Sequence, residues 1–311
     1  MSQPIIQTQE LTKYYGEIKA VDHLNLTVNE GEIYGFLGPN GAGKTTTLLM
    51  LMGLTVPTSG TATVGGHDII KDSREVRRIA GLLPEGVGYY EDLTAKQNLK
   101  YIGQLNDLPA PEIEKRSTDF LEVVGLAKWE NTKVEKFSRG MKQRLGIAEV
   151  LIKKPKVAFF DEPTIGLDPQ GTKEIRDVLI GLNKEQRLTV LLSSHWLFDV
   201  QQTCQKVGII REGRLVAADT IENLSNRLSR KEKMIEFELS EITPDLVREI
   251  KNVKGVTSVD QENLRLYVHM ENDSSKEVSE TIMKHGITIL LMKPKEYNLE
   301  EIFLDYYKEA S

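Results

Sequence analysis

Residues 38–45 read Gly-Pro-Asn-Gly-Ala-Gly-Lys-Thr and decide how the rest of the chain is interpreted. They match the phosphate-binding pattern G-x-x-x-x-G-K-[ST] at every fixed position. The preceding residues 32–37 (EIYGFL) predict a strand, and residues 46–53 (TTLLMLMG) predict the start of a helix. A strand, a glycine-rich loop and a helix in this order direct backbone N–H groups and a helix N-terminus at one anion. The sequence therefore predicts a site for a nucleoside triphosphate.

The residues of this loop have separate expected roles. The glycines let the backbone approach the phosphates closely. Lys44 is expected to reach the β- and γ-phosphates, and the Thr45 hydroxyl is expected to ligate Mg²⁺. The residues expected to contact the nucleotide here are Gly38, Pro39, Asn40, Gly41, Ala42, Gly43, Lys44, Thr45 and Thr46.

Length and composition limit the possible classes of protein. With 311 residues, the chain can form one large domain and a smaller one. No apolar run approaches the roughly 18 residues of a membrane span, and the N-terminus lacks the pattern of a secretory signal. The formal charge of −6 comes from residues 231–311, while the first 230 residues are balanced. No nucleic-acid partner is expected, because neither part has a basic excess. The one cysteine, Cys204, is expected to be a small buried apolar residue.

The first domain is predicted to alternate between strands and a helical insertion. Residues 5–36 form short apolar runs, and Asn29-Glu30-Gly31 is typical of a hairpin turn that leads into strand 32–37. A small antiparallel sheet is therefore expected to enter the phosphate loop. Residues 94–151 have helical periodicity. Continuous apolar runs at 157–160, 188–193 and 207–210 then predict strands buried on both faces.

A second, smaller domain is predicted after a charged helical stretch at residues 221–233. From Met234 the order of elements is strand, helix, two strands of a hairpin, helix and strand, followed by a last helix at 299–309. This order is typical of an α+β, ferredoxin-like fold. We therefore predict domains at residues 1–222 and 223–311.

Four further motifs follow the phosphate loop. Ser138-Arg139-Gly140-Met141 begins a predicted helix with Ser138 as its N-cap, and Asp161-Glu162 ends a buried strand. Gly166-Leu167-Asp168 comes next, with Asp168 as N-cap and Pro169 at the first helical position. Ser194-His195 ends the following strand. Acidic residues at the carboxyl end of a strand lie where ligands bind in open α/β sheets.

In this order and spacing, the motifs resemble an ABC ATPase, the nucleotide-binding domain of ABC transporters, over roughly residues 4–222. The resemblance implies an α/β fold, a P-loop NTPase core of ABC ATPase type. Such a core has a RecA-like mixed sheet, an antiparallel β subdomain and a helical subdomain. The ferredoxin-like domain would be an addition to that core.

The resemblance also assigns roles to the motifs. Asp161 would hold Mg²⁺, Glu162 would accept a proton from the attacking water, and His195 would contact the γ-phosphate. The catalytic residues are thus expected to be Glu162 and His195. ATP and Mg²⁺ are the expected cofactors.

The remaining expected contacts involve the base and a second copy of the chain. In the family, the signature, with Ser138 and Gly140 nearest the phosphate, caps the ATP held by another subunit. The chain carries one phosphate loop and one signature, so two composite sites imply a homodimer. Asp168 is a further expected nucleotide contact. Tyr15 matches the position that stacks on adenine, and Tyr14 is the alternative if the register differs by one residue.

Two residues depart from the family pattern. Arg139 stands where the signature has glycine, and Glu85 stands where the family has a glutamine. Glu85 can face Mg²⁺, but a carboxylate cannot donate a hydrogen bond as an amide can. Both departures resemble a bacterial subgroup that pairs with ABC-2-type exporter permeases. The tail at residues 297–304 (YNLEEIFL) also looks like the C-terminal end of that subgroup.

The resulting functional prediction is the ATP-hydrolysing subunit of an exporter. It would be cytoplasmic and bound to the inner face of the cell membrane through a separate ABC-2-type membrane permease. Residues 86–91 would face the permease, with Tyr89 and Tyr90 either anchoring it or packing under a loop. The alternatives are a soluble ABC ATPase that acts on nucleic acid or the ribosome, and a regulatory module with little turnover. The substrate does not follow from this sequence, because in this family the membrane subunit selects it.

Overall fold

The computed structural model describes residues 3–231, 233–271, 274–294 and 297–309. The chain divides into two compact units, residues 1–219 and 220–311. The boundary expected from the sequence lies at residue 222.

The strands are β1 (Pro4–Tyr15), β2 (Ile18–Leu24), β3 (Thr27–Asn29), β4 (Ile33–Leu37), β5 (Ser59–Val64), β6 (His67–Asp68), β7 (Ala80–Leu83), β8 (Val157–Asp161), β9 (Thr189–Ser194), β10 (Lys206–Arg211), β11 (Arg214–Thr220), β12 (Lys233–Leu239), β13 (Val256–Glu262), β14 (Arg265–Met270) and β15 (Ile289–Pro294). The helices are α1 (Lys44–Leu51), α2 (Ser73–Ile79), α3 (Ala95–Leu105), α4 (Ala110–Val123), α5 (Arg139–Leu151), α6 (Pro169–Gln186), α7 (Leu197–Thr203), α8 (Ile221–Lys231), α9 (Pro244–Lys251), α10 (Ser275–Lys284) and α11 (Leu299–Glu309). Two short 3₁₀ turns lie at Ala127–Trp129 and Val134–Lys136.

The first unit is built on a six-stranded sheet of order β11-β10-β4-β9-β8-β7. The pairs from β10 to β7 are parallel. All residues of β4, β8 and β9 are buried, as their continuous apolar runs predict. Because the strands are parallel, the carboxyl ends of β4, β9 and β8 meet at one edge, where ligands bind in α/β sheets.

A second sheet of order β2-β1-β5-β6, with β3 also paired to β1, forms the antiparallel β subdomain. The predicted hairpin at Asn29-Glu30-Gly31 is wrong. The turn exists, and the Glu32 N–H donates to the Asn29 carbonyl at 3.3 Å. However, β3 pairs antiparallel with β1, whereas β4 pairs parallel with β9 and β10. The turn therefore passes the chain from one sheet to another.

The predicted helical insertion is confirmed as α3, α4 and α5, which contact one another. Helix α3 begins with a capping box, in which the Thr94 side chain and Gln97 satisfy each other's backbone N–H groups. Helix α5 returns the chain to the sheet and packs on β7. The P-loop NTPase core with an antiparallel β subdomain and a helical subdomain is thus present as expected.

The second unit contains a four-stranded sheet of order β13-β14-β12-β15 in which every pair is antiparallel. Its strands and the helices α9 and α10 follow the β-α-β-β-α-β order of a ferredoxin-like fold. Its core contains residues that alternate along the strands with polar ones, such as Phe237, Leu239, Leu266 and Val268. This unit has its own hydrophobic core.

Helix α7 packs closely on β4. A Cβ atom at Gly35 would lie 2.5 Å from Val200 Cγ1 and 3.1 Å from Cys204 Sγ, so only glycine allows this approach. Cys204 is buried, as the sequence predicts, and burial raises the pKa of its thiol. Among the described residues, no helix has the length and apolar character needed to cross a bilayer.

Candidate nucleotide site

The phosphate loop joins β4 to α1 at the carboxyl edge of the central sheet. Gly43, the N-cap of α1, has φ of 104°, and a Cβ there would lie 2.2 Å from the Ala20 carbonyl oxygen. Only glycine fits that conformation and that contact. The first backbone N–H groups of α1 are consequently available to an anion.

Lys44 is buried beneath this loop. Its Nζ donates to the carbonyl oxygens of Gly38 at 2.7 Å and Pro39 at 3.1 Å. It also lies 3.2 Å from Glu162 Oε1, and both side chains are under 10% exposed, at 6% and 7%. The cation of the loop is therefore already held next to the carboxylate at the end of β8.

Asp161, the last residue of β8, is tied to both neighbouring elements of the site. The Thr45 hydroxyl donates to Asp161 Oδ2 at 2.7 Å, and the Ser193 hydroxyl donates to Asp161 Oδ1 at 2.5 Å. Asp161 and Ser193 are buried. Because β9 lies between β4 and β8, Ser193 fixes the acid from the strand in between. The sequence prediction missed Ser193. The one feature of the sequence that could have indicated its role is its position near the end of a predicted buried strand.

Glu162 has an uncommon backbone conformation, with φ of 50°. A non-glycine residue in the left-handed region needs support from its surroundings. Its N–H is held by the Ser193 carbonyl at 3.2 Å and by the Ser193 hydroxyl at 3.1 Å. Its Oε2 lies 2.9 Å from His195 Nδ1. The structure thus brings Lys44, Glu162 and His195 together, although they lie in three separate segments.

An open cleft of about 250 Å³ lies over the phosphate loop. It is lined by Ile18, Ala20, Asn40, Gly41, Gly43, Lys44, Thr45, Thr46, Glu85 and Glu162. Glu85 is exposed and therefore accessible to a ligand in this cleft. Most of the predicted phosphate contacts and the two candidate acids, Glu85 and Glu162, thus border one space.

The hairpin between β1 and β2 separates the roles of Tyr14 and Tyr15. The Tyr14 hydroxyl donates to Asp22 Oδ1 at 2.8 Å, so that ring is held on the hairpin. Tyr15 is 48% exposed, and Lys13 Nζ lies 4.9 Å from its ring centroid, over one face. Tyr15 pairs with Ile18, which lines the cleft. The geometry favours Tyr15 as the ring available to a base.

The signature and D-loop residues cap helices, as the sequence predicts. Ser138 Oγ accepts from the Met141 N–H at 3.3 Å, and Asp168 Oδ1 accepts from the Gly171 N–H at 2.8 Å. Arg139 lies against Gly166, where an added Cβ would be 2.3 Å from its guanidinium. Ser138, Gly140 and Asp168 are not among the residues that line the cleft of their own chain.

The two neighbouring tyrosines after Glu85 have different environments. The Tyr89 hydroxyl donates to the Lys142 carbonyl of α5 at 2.5 Å, and the same oxygen would lie 2.8 Å from a Cβ added at Gly146. Tyr90 is 55% exposed and stacks edge-to-face with Tyr101. Tyr89 is thus a packing residue, and Tyr90 is the one on the surface.

A phosphate loop whose lysine faces a strand-end carboxylate defines a P-loop nucleoside triphosphatase. The family model described as ABC transporter matches residues 21–165. The chain belongs to the family of ABC transporter ATP-binding proteins, since it is 40% identical over 308 residues to the bacitracin transport ATP-binding protein BcrA of Bacillus licheniformis. That match covers 96% of each chain. As a member, the protein binds and hydrolyses ATP and energises a membrane permease.

Other comparisons agree with this assignment. The linearmycin resistance ATP-binding protein LnrL of Bacillus subtilis is 34% identical over 305 residues, and the match covers 97% of both chains. The dimeric post-hydrolysis structure of the ATP-binding cassette MJ0796 with ADP and Pi superposes with a TM-score of 0.63 at 25% identity. It covers 69% of this chain and 98% of its own.

Proposed function

We propose that this protein is the ATPase of an exporter, in which two copies close over two ATP molecules and drive an ABC-2-type permease. The observation that carries the proposal is the position of the Glu162 carboxylate, between Lys44 and His195 and next in sequence to Asp161. The relatives named for bacitracin transport and linearmycin resistance match nearly the whole chain, including the second unit. An antibiotic-type compound is therefore the proposed cargo of the partner permease.

The side chains divide the chemistry among them. Lys44 binds the β- and γ-phosphates, for which it exchanges its contacts with the Gly38 and Pro39 carbonyls and with the Glu162 carboxylate. That exchange leaves Glu162 free to accept a proton from the attacking water. His195 orients Glu162 and contacts the γ-phosphate. A positioned base of this kind accelerates hydrolysis by roughly 10²–10⁴.

Oxygen donors at this edge fit Mg²⁺. The Thr45 hydroxyl and the Asp161 carboxylate are 2.7 Å apart, and Mg²⁺ prefers hard oxygen ligands with several waters and phosphates. The described residues contain no cluster of three or more acidic, histidine or cysteine ligands, so the phosphates would complete the coordination. Thr45 and Asp161 are the proposed ligands, and Glu85 is a third candidate at the same cleft. When bound, the ion neutralises charge on the transferred phosphate.

A second copy is proposed to complete each site. Ser138 caps α5, and the N-terminus of that helix offers unpaired N–H groups and the positive end of a dipole. Since Ser138, Gly140 and Asp168 do not line their own chain's cleft, we assign them to the ATP held by the partner copy. The protein would then be peripheral on the inner face of the membrane, bound through the permease with Tyr90 at the contact.

Co-expression with a candidate ABC-2-type permease tests this proposal. We expect the chain to co-purify with that membrane protein and to hydrolyse ATP in proteoliposomes. Wild-type protein is compared with Glu162→Gln, which is expected to bind ATP, form a stable dimer and not turn over. Capture of a soluble partner alone, or equal inactivity of both proteins with the permease present, would contradict the proposal.

A further inference from the structure

A buried acid outside the catalytic centre organises the hairpin that carries Tyr15. Asp22, on β2, is 2% exposed and accepts hydrogen bonds from three side chains. The donors are Tyr14 Oη at 2.8 Å, His23 Nδ1 at 2.5 Å and Arg214 Nε at 2.8 Å. A second guanidinium nitrogen of Arg214 lies 2.6 Å from the same oxygen, Asp22 Oδ2, so both nitrogens share one carboxylate oxygen, while Tyr14 and His23 share Oδ1. One carboxylate thus joins β1, β2 and β11.

The same acid is connected to the phosphate loop through the backbone. The Asp22 N–H donates to the Gly213 carbonyl at 2.9 Å, and the Gly213 N–H donates to the Ala42 carbonyl at 3.1 Å. Gly213 has φ of 80°, and a Cβ there would lie 3.0 Å from Val21 Cα. The turn between β10 and β11 therefore lies directly between β2 and the phosphate loop.

We infer that Asp22 is a positioning residue for base recognition, which fixes the Tyr15 ring at a set distance from the phosphate loop. Tyr15 follows Tyr14 directly and pairs with Ile18 across the hairpin. Ile18 lines the cleft above the loop. The Asp22 carboxylate holds Tyr14, next to the ring proposed to stack on the base. The Asp22 N–H is linked through Gly213 to the loop proposed to bind the phosphates. One buried residue thus connects the two binding surfaces.

The protonation of this cluster agrees with its geometry. The hydrogen bonds from Tyr14 and then Arg214 hold the pKa of Asp22 well below its usual range. The hydrogen bond to Asp22 raises the pKa of Tyr14. Tyr14 therefore remains a donor and Asp22 remains an anion over the whole physiological range.

Calorimetric titration of the full chain with Mg-ATP and with Mg-tripolyphosphate, which lacks a base, tests this inference. Asp22→Asn is expected to weaken ATP binding by roughly fivefold, because it removes the charge that holds Tyr14 and Arg214. Tripolyphosphate binding should change by less than about twofold. Tyr14→Phe keeps the ring and deletes one hydrogen bond. It should therefore also weaken ATP binding more than tripolyphosphate binding, but by a smaller factor than Asp22→Asn. Equal weakening for both ligands would overturn the inference, since general damage to the loop predicts it.

The inference rests on the proposed stacking of the base on Tyr15. A second set of variants tests the stacking and the role of Asp22 separately. Tyr15→Ala should weaken ATP binding by roughly tenfold, the value of one base stacked on one aromatic ring. If Tyr15→Ala has no effect, the stacking proposal fails. If it has an effect but Asp22→Asn has none, only the role of Asp22 fails.

Two further measurements complete the test. In the double variant of Tyr15→Ala and Asp22→Asn, the Kd for ATP should stay within about twofold of the value for Tyr15→Ala alone. The reason is that both residues act through the same contact, the stacking of the base on Tyr15. Additive losses would overturn the inference. Glu32→Gln is the matched control: Glu32 accepts from Asn29 and pairs with Lys206 at 2.9 Å, away from the hairpin, and should leave ATP binding unchanged.

Discussion

The nucleotide edge of the central sheet and the last turn of α5 each hold a glutamate that is shielded from solvent, Glu162 fully and Glu149 in part, and the two differ in their partners. Glu162 lies between Lys44 and His195 and is 7% exposed. Glu149 is half-buried on α5, and among the described residues it forms no ion pair. Burial alone therefore raises the pKa of Glu149 to about 8. The partners of Glu162 fix its orientation for chemistry, whereas the only effect on Glu149 is the desolvation that shifts its pKa.

The largest expected effect is on the partnered acid itself. Glu162→Gln should reduce ATP turnover by roughly 10²–10⁴, because an amide cannot accept the proton that the carboxylate takes. Single-turnover hydrolysis and ATP affinity are measured together, and affinity should stay near the wild-type value. Glu174→Gln, on an exposed carboxylate of α6, is the control. Wild-type turnover in Glu162→Gln would show that the partners of Glu162 serve stability alone.

Removing the Lys44 cation tests the Lys44–Glu162 pair through its other member. Lys44→Ala should weaken ATP binding by more than about 100-fold, because it deletes the charge that faces the phosphates. It should also lower the free energy of unfolding by about 3 kcal/mol, since it leaves Glu162 buried without its lysine. Thermal melts without nucleotide should therefore improve when Glu162→Gln is added to Lys44→Ala. A double variant no more stable than Lys44→Ala would mean that the ion pair has no role in folding.

A variant of Ser193 tests whether β9, the strand between the phosphate loop strand β4 and the acidic strand β8, contributes to hydrolysis. Ser193→Ala removes the hydroxyl that bonds Asp161 and the Glu162 N–H, so turnover should fall by about tenfold. Ser194→Ala is the matched control, because that hydroxyl accepts from the Trp196 N–H instead. Similar turnover in both variants would show that the Ser193 bridge is dispensable.

The smallest expected effect belongs to the unpartnered acid. Between its ordinary pKa of 4.5 and about 8, Glu149 is ionised in the unfolded chain and neutral in the folded one, so stability is lost as the pH rises. Glu149→Gln should therefore melt roughly 2–6 °C above wild type at pH 9. At pH 4.5 the two proteins should melt together. An equal difference at both pH values would mean that packing, and not the charge, separates them.

The sequence was sufficient where local structure depends on short contiguous motifs. The phosphate loop, the strand-ending Asp161, and the helix N-caps Ser138 and Asp168 each have a local physical signature that one segment contains. The strand and helix order of the second unit was likewise predicted, because periodicity and turn residues are local too.

What the sequence could not predict depends on which strands are neighbours. Ser193 reaches Asp161 only because β9 lies between β4 and β8, and Asp22 meets Arg214 across 192 positions of sequence. The error at residues 29–31 has the same cause, since a tight turn looks alike whether or not its two strands pair. The local sequence predicts the turn, but which strands pair on either side of it depends on the assembled sheets.

The burial of Cys204 under α7 has a practical consequence for spectroscopy. It is the one cysteine of the chain, it is buried with its sulfur packed against Gly35, and burial disfavours its reactive thiolate. Thiol-reactive spin labels and fluorophores should therefore leave the natural protein unmodified. A cysteine introduced at an exposed site such as Glu17 would carry the only label, and distances between two copies could be followed without first removing a native thiol.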